Sequence, residues 1–205
     1  MNITNMLVAL PAILIALTFH EYAHGKVADL LGDDTPYYQG RLTLNPLPHI
    51  DWVGFAMLFI FHFGWAKPVQ VNPAKFKEVG YKKGMMLVSL AGPMMNLLLA
   101  FIGLILLRLL LPYQFSEWGG ITATLLLPLI QINIILAAFN LIPLPPLDGS
   151  KILAGLLPDS GARMMYSLEQ YGPLLLLLLI ITGAASKIFI PVANFLYGVL
   201  YGVVF

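Results

Sequence analysis

Leu10-Pro-Ala-Ile-Leu-Ile-Ala-Leu-Thr-Phe-His20-Glu21-Tyr22-Ala23-His24 sets two imidazoles and a carboxylate at the end of an apolar run, and from Met1 to Phe19 no side chain ionises. An apolar stretch of about 20 residues crosses a bilayer as a helix. Ionisable groups are costly in hydrocarbon and normally face a cavity or a partner there, so a cluster of them at the end of such a helix marks function. On a helix, positions i and i+4 share a face. His20 and His24 can therefore turn imidazole nitrogens toward one metal ion, at about 2.0–2.1 Å if the ion is zinc. Glu21 projects beside them, where it can act as general base toward water.

The rest of the composition agrees with a membrane setting. The 205 residues are 59% hydrophobic and only 10% charged, with a mean hydropathy of +0.84. A soluble domain carries about a quarter charged residues. A net charge of +1 and the lack of a long Lys/Arg block give no field for nucleic acid. Cysteine is absent, which excludes disulfides and thiolate ligands and leaves His, Asp and Glu to hold a transition metal. The first segment has neither the basic start nor the small-residue cleavage site of a secretory signal, so it is expected to be a retained helix. The whole chain, 1–205, reads as one integral membrane domain.

Four segments reach spanning length: 4–26, 84–111, 121–142 and 171–204, the last expected to divide near Gly183, Ser186, Lys187 and Pro191. The predicted fold class is therefore an all-α polytopic membrane protein of about five to six transmembrane helices. Segment 52–65 is half a bilayer long and reads as re-entrant, and the alternation in Gly40-Arg-Leu-Thr-Leu-Asn45 suggests a short β-hairpin or sheet edge after the first helix. Lys67, Lys75, Lys77, Lys82 and Lys83 face a single Glu78 between the first and second long segments, whereas the loop after Leu111 carries only Glu117. The positive-inside rule places the lysine-rich loop in the cytoplasm. The stretch 143–170, with Lys151 and Arg163, then falls on the same side. At a rise of 1.5 Å per residue, His20 lies about 25 Å along a core of roughly 30 Å, just inside the cytoplasmic boundary. A multi-pass cell-membrane protein with its polar site toward the cytoplasm is expected.

Two histidines do not complete a catalytic zinc site; a third protein ligand is expected, with a fourth position left for water. His49, Asp51, His62 and Asp148 are the candidates. Asp148 ends Asn140-Leu-Ile-Pro-Leu-Pro-Pro-Leu-Asp148-Gly149, where three prolines force extended backbone of the kind tolerated at membrane depth only against protein or a cavity. The same Asp-Gly-Ser can equally be an ordinary turn and helix cap. Ser89-Leu-Ala-Gly92-Pro93-Met-Met-Asn96 reads as a close helix crossing, with Asn96 bonding a neighbour. Arg108 is expected to snorkel to the headgroups.

Taken together, His20-Glu21-Tyr22-Ala23-His24, Gly40-Arg-Leu-Thr-Leu-Asn-Pro-Leu-Pro-His49-Ile-Asp51, Gly64-Trp-Ala-Lys-Pro-Val, Ser89…Gly92-Pro93…Asn96 and Asn140…Leu147-Asp148-Gly149 resemble the site-2 protease family of intramembrane zinc metalloproteases, in the compact form without a PDZ domain. The resemblance implies that Asp148 is the third ligand of one Zn2+ ion beside His20 and His24. It implies Glu21 as catalytic base and Asn140 as a group that holds the substrate or the oxyanion. It implies regulated intramembrane proteolysis, with a transmembrane protein or peptide as substrate partner, in contact with the lipid bilayer and no nucleic acid; a homo-oligomer is a further candidate assembly. Two other readings stand beside it: a non-catalytic membrane protein that binds zinc, for which Glu21 would be superfluous, and a metal-ion transporter, whose ligands belong near the bilayer midplane.

Overall fold

A computed structural model describes residues 3–61, 64–113 and 116–205. Along the chain run α1 (Ile3–Leu30), α2 (Thr35–Tyr38), α3 (Trp52–Phe61), α4 (Tyr81–Leu110), α5 (Glu117–Asn140), α6 (Asp148–Leu156), α7 (Asp159–Leu168), α8 (Gly172–Ile181) and α9 (Ala184–Val204). Small residues decide which helices meet. Ala9, Ala12, Ala16 and Ala23 are buried along α1 at near-heptad spacing and share that face with His20. In lipid, where apolar side chains gain little by leaving one apolar phase for another, such stripes let backbones approach. α4 is central and packs against α5, α1 and α6, while α5 also carries α1 and α9. A second apolar cluster, from Ala100, Leu104, Ile130, Ile134, Ala138 and Ala193, ties α4, α5 and α9 together.

The architecture is all-helical, as expected. Met6–Leu30, Tyr81–Tyr113, Asp159–Ile181 and Ala184–Val204 are long and apolar enough to span, and α5 contributes a shorter apolar stretch, Thr124–Asn140. The C-terminal stretch divides at Gly183, which turns the chain in the left-handed region with φ 71°. The two halves differ. The ten residues of α8 rise about 15 Å, half the hydrocarbon thickness. α9 runs antiparallel to α5: Phe189 meets the Phe139 ring near the end of α5, and the Val204 carbonyl accepts from Arg108 near the end of α4. Arg108 thus caps the end of α9, with its guanidinium 5.9 Å from the Phe205 ring centroid. Residues 159–168, within the polar stretch 143–170, form α7. Its Ala162 and Met165 pack on Ala154 of α6, and both Asp159 and Tyr166 touch the first turn of α4, through Lys82 and Tyr81. α7 therefore touches the start of α4 through these two side chains.

The segment after α1 leaves and returns to one level. Ile50 pairs with Ala66 in an isolated antiparallel bridge, and the Lys67 N–H donates to the His49 carbonyl at 2.9 Å, with the short helix α3 between. Gly40–Asn45 forms bends, and no strand occurs among the described residues. The reason is local: side chains take the groups a ladder would use. The Arg41 guanidinium donates to the carbonyls of Pro48 and Lys67, the His49 Nε2–H donates to the Thr43 carbonyl at 2.9 Å, and Asn45 Oδ1 accepts from the Leu47 N–H at 3.1 Å. The chain beyond Ala66 is pinned to the end of α1. Asn72 N–H donates to buried Asp33 at 2.6 Å, and Lys77 N–H to the Leu31 carbonyl at 2.7 Å.

Candidate metal centre

Two elements far apart in sequence, α1 and α6, converge in the C-terminal half of α1. His20 and His24 lie one turn apart on its buried face, and their Nε2 atoms are 2.9 Å from each other. Asp148 is the first residue of α6, and its Oδ2 is 3.2 Å from each Nε2. The approach depends on Gly149, where a Cβ would fall 2.3 Å from the Ile142 carbonyl oxygen and 2.4 Å from that of Leu141. The proline-broken turn can close on the start of α6 only without a side chain there. The segment that interrupts the apolar pattern thus delivers the carboxylate.

The far side of each imidazole fixes its tautomer. His20 Nδ1 is 2.7 Å from Asn96 Oδ1, and His24 Nδ1 is 2.7 Å from the Val88 carbonyl. Both partners accept, so both Nδ1 atoms carry the proton and both Nε2 atoms present lone pairs. Two lone pairs and a carboxylate oxygen within 3.2 Å, all on buried or half-buried groups, repel one another unless positive charge sits among them. Tetrahedral zinc ligands at about 2.0–2.1 Å stand roughly 3.3 Å apart. The donor set and its spacing fit that ion, and the Nδ1 partners are of the kind that orient metal-binding histidines.

Val88, Gly92 and Asn96 recur every fourth residue on the α4 face that meets α1. Gly92 sits against the rings, where a Cβ would lie 2.5 Å from His20 Cε1 and from His24 Nε2. Pro93 removes a rung from the helix ladder in the same turn. The expected close crossing is present, and its purpose is the imidazoles.

Glu21 is buried beside the pair; its Oε2 accepts the Val69 N–H at 2.9 Å. Asn140 is not drawn into the cluster: its Nδ2 donates to the Leu136 carbonyl of its own helix at 3.0 Å. The other sequence candidates for the third ligand are engaged elsewhere. His49 holds the Thr43 carbonyl, and Asp51 Oδ1 accepts from the N–H groups of Val53 and Gly54 at the start of α3. His62 lies outside the described residues. Asn133 was not singled out by the sequence, yet it is fully buried and its Oδ1 accepts from Asn96 Nδ2 at 2.7 Å. An asparagine inside an apolar helix is the signal that could have found it.

Among the described residues, no second group of three His, Asp or Glu side chains converges as a metal site. A cavity of about 700 Å³ opens between α1, α3, α5 and the α8–α9 turn; it reaches Thr18 on α1, and none of His20, Glu21, His24 and Asp148 lines it.

Comparison with known proteins gives the family. The profile of peptidase family M50 matches residues 8–181. A Bacillus subtilis protein, YwhC, is 41% identical over 185 residues, covering 89% of this chain and 84% of its own length. Rip2 of Mycobacterium tuberculosis is 32% identical over 192 residues, covering 90% of this chain and 70% of its own. Both carry the name "Putative zinc metalloprotease". No solved structure gives a significant match. With a profile match over most of its length and relatives of this similarity, the chain belongs to peptidase family M50, the site-2 protease family.

Proposed function

We propose that this protein is an intramembrane zinc metalloprotease that hydrolyses peptide bonds in or beside transmembrane segments of membrane-protein substrates, with His20, His24 and Asp148 holding one zinc ion and Glu21 acting as catalytic base. The observation that carries the reading is the convergence of three acceptors, with tautomers set for metal binding, next to a buried carboxylate. Zinc at such a site polarises a carbonyl and makes water acidic enough to attack at neutral pH. Glu21 takes the proton from the attacking water and hands it to the leaving amine, as a general base that turns general acid. The Val69 N–H holds one of its oxygens at 2.9 Å, which fixes the carboxylate plane and leaves the other oxygen for the proton. Asn140, by the family resemblance, steadies the substrate or the oxyanion. To do so its amide must turn away from Leu136.

A substrate helix must unwind before its carbonyls are exposed, and the apolar cavity beside Thr18 has room for such a segment. The lysines between Lys67 and Lys83 favour a cytoplasmic position for this end of the molecule. A zinc-binding protein without catalysis has no use for Glu21, and a transporter needs a further set of ligands along its path. The test is reconstitution in vesicles with a model transmembrane substrate, with mass analysis of the products. The reading expects a cut within or next to the apolar segment, abolished by a chelator and restored by zinc. An intact substrate under metal-replete conditions overturns it.

A further inference from the structure

Asn133 hydrogen-bonds to Asn96 and to the Leu129 carbonyl, and through the first of these it bears on which end of the Asn96 side chain faces His20. An asparagine amide presents an acceptor at one end and two donors at the other. Asn96 is fully buried, and its donors are both spent, on the Ala16 carbonyl at 3.1 Å and on Asn133 Oδ1 at 2.7 Å. Its acceptor is thereby left to His20 Nδ1. Asn133 can offer an oxygen because its own amide donates back to the Leu129 carbonyl at 2.8 Å. The chain Leu129 carbonyl, Asn133, Asn96, His20 crosses from α5 through α4 to α1 and has one consistent direction of donors. Both asparagines are fully buried, so water is not there to replace a missing member.

We propose that Asn133 is a positioning residue for the metal: acting through Asn96, it holds His20 as the Nδ1–H tautomer with its Nε2 lone pair directed at the ion. The inference rests on the zinc reading given above. Without the Asn133 oxygen, Asn96 keeps a single restraint, the Ala16 carbonyl, and its amide can present a donor to Nδ1. His20 then shifts toward the Nε2–H tautomer, which cannot ligate.

The test is zinc affinity by chelator competition, together with the imidazole 15N spectrum of the metal-free protein. Asn133→Leu, which keeps the branching of the side chain and removes the oxygen, is expected to weaken zinc binding about 10- to 100-fold and to lower the Nδ1–H population of His20. Asn133→Asp, which keeps an oxygen toward Asn96, is expected to stay much nearer the wild type. A purely structural role would lower the melting temperature of the metal-free protein and leave zinc affinity unchanged. Zinc affinity of Asn133→Leu within twofold of wild type overturns the proposal, as does an equal loss in Asn133→Asp. Asn133→Val carries the same expectation should the leucine not be accommodated. A wild-type protein that binds no zinc overturns the metal reading itself, and this inference with it.

Discussion

Gly92→Ala is the smallest change that tests whether the α1–α4 crossing serves the metal. The added Cβ would lie 2.5 Å from His20 Cε1, 2.5 Å from His24 Nε2 and 2.6 Å from His24 Cε1. Such atoms settle at about 3.5–4.0 Å, so the methyl group arrives roughly 1 Å too close to both rings at once. Neither ring can swing aside freely, because each Nδ1 is tied at 2.7 Å, one to Asn96 and the other to the Val88 carbonyl. Either α4 withdraws or the rings leave their positions. Overpacking of this kind costs about 1–3 kcal/mol. Here the cost falls on the ligands, and at about 1.4 kcal/mol per tenfold it predicts zinc binding weaker by roughly 5- to 150-fold. Gly103→Ala is the control on the same helix: its Cβ meets Ile130 Cγ1 at 2.7 Å, away from the imidazoles. That variant should lose some stability and keep its zinc affinity. Chelator-competition titration of the purified proteins, with melting temperatures measured without metal, separates the two. Wild-type zinc affinity in Gly92→Ala would refute the reasoning.

Two further substitutions probe the other parts of the centre. Asp148→Asn removes the charge that balances the ion and should leave less than one zinc per chain by metal analysis, with cleavage lost in parallel; full zinc occupancy would speak against Asp148 as a ligand. Val69→Pro deletes the N–H that holds Glu21. Hydrogen bonds to charged groups contribute about 1.5–3 kcal/mol, so turnover should fall by roughly 10- to 150-fold while zinc stays bound. An unchanged turnover would show that this contact does not orient the base.

The parts of this molecule that local physics dictates could be read from the sequence. The His20–His24 pair follows from helical spacing, the break at Gly183 from composition, and the extended segment before Asp148 from its prolines. What escaped depends on contacts between helices. Asn96 reaches His20 and Asn133 only when three helices are side by side, and the Val88 carbonyl carries no side-chain signature at all. Gly92 was legible as a close crossing but not as a cradle for the imidazoles. The alternation at Gly40–Asn45 suggested a strand because the pattern ignores Arg41, which is buried and takes the carbonyls of Pro48 and Lys67. The helix at 159–168 went unanticipated within the polar stretch 143–170, because the apolar face of Ala162 and Met165 has meaning only against α6. Asp148 became the favoured ligand only through the family resemblance, since turn chemistry alone explains an Asp-Gly-Ser equally well.

Glu21→Gln tests the central claim most directly, because the substitution keeps the shape of the side chain and removes its basicity. Metal content and cleavage of one transmembrane substrate should be measured on the same preparation. The account predicts one zinc per chain, as in the wild type, and a rate lower by about 100- to 10,000-fold. Cleavage equal to that of the wild type would contradict it.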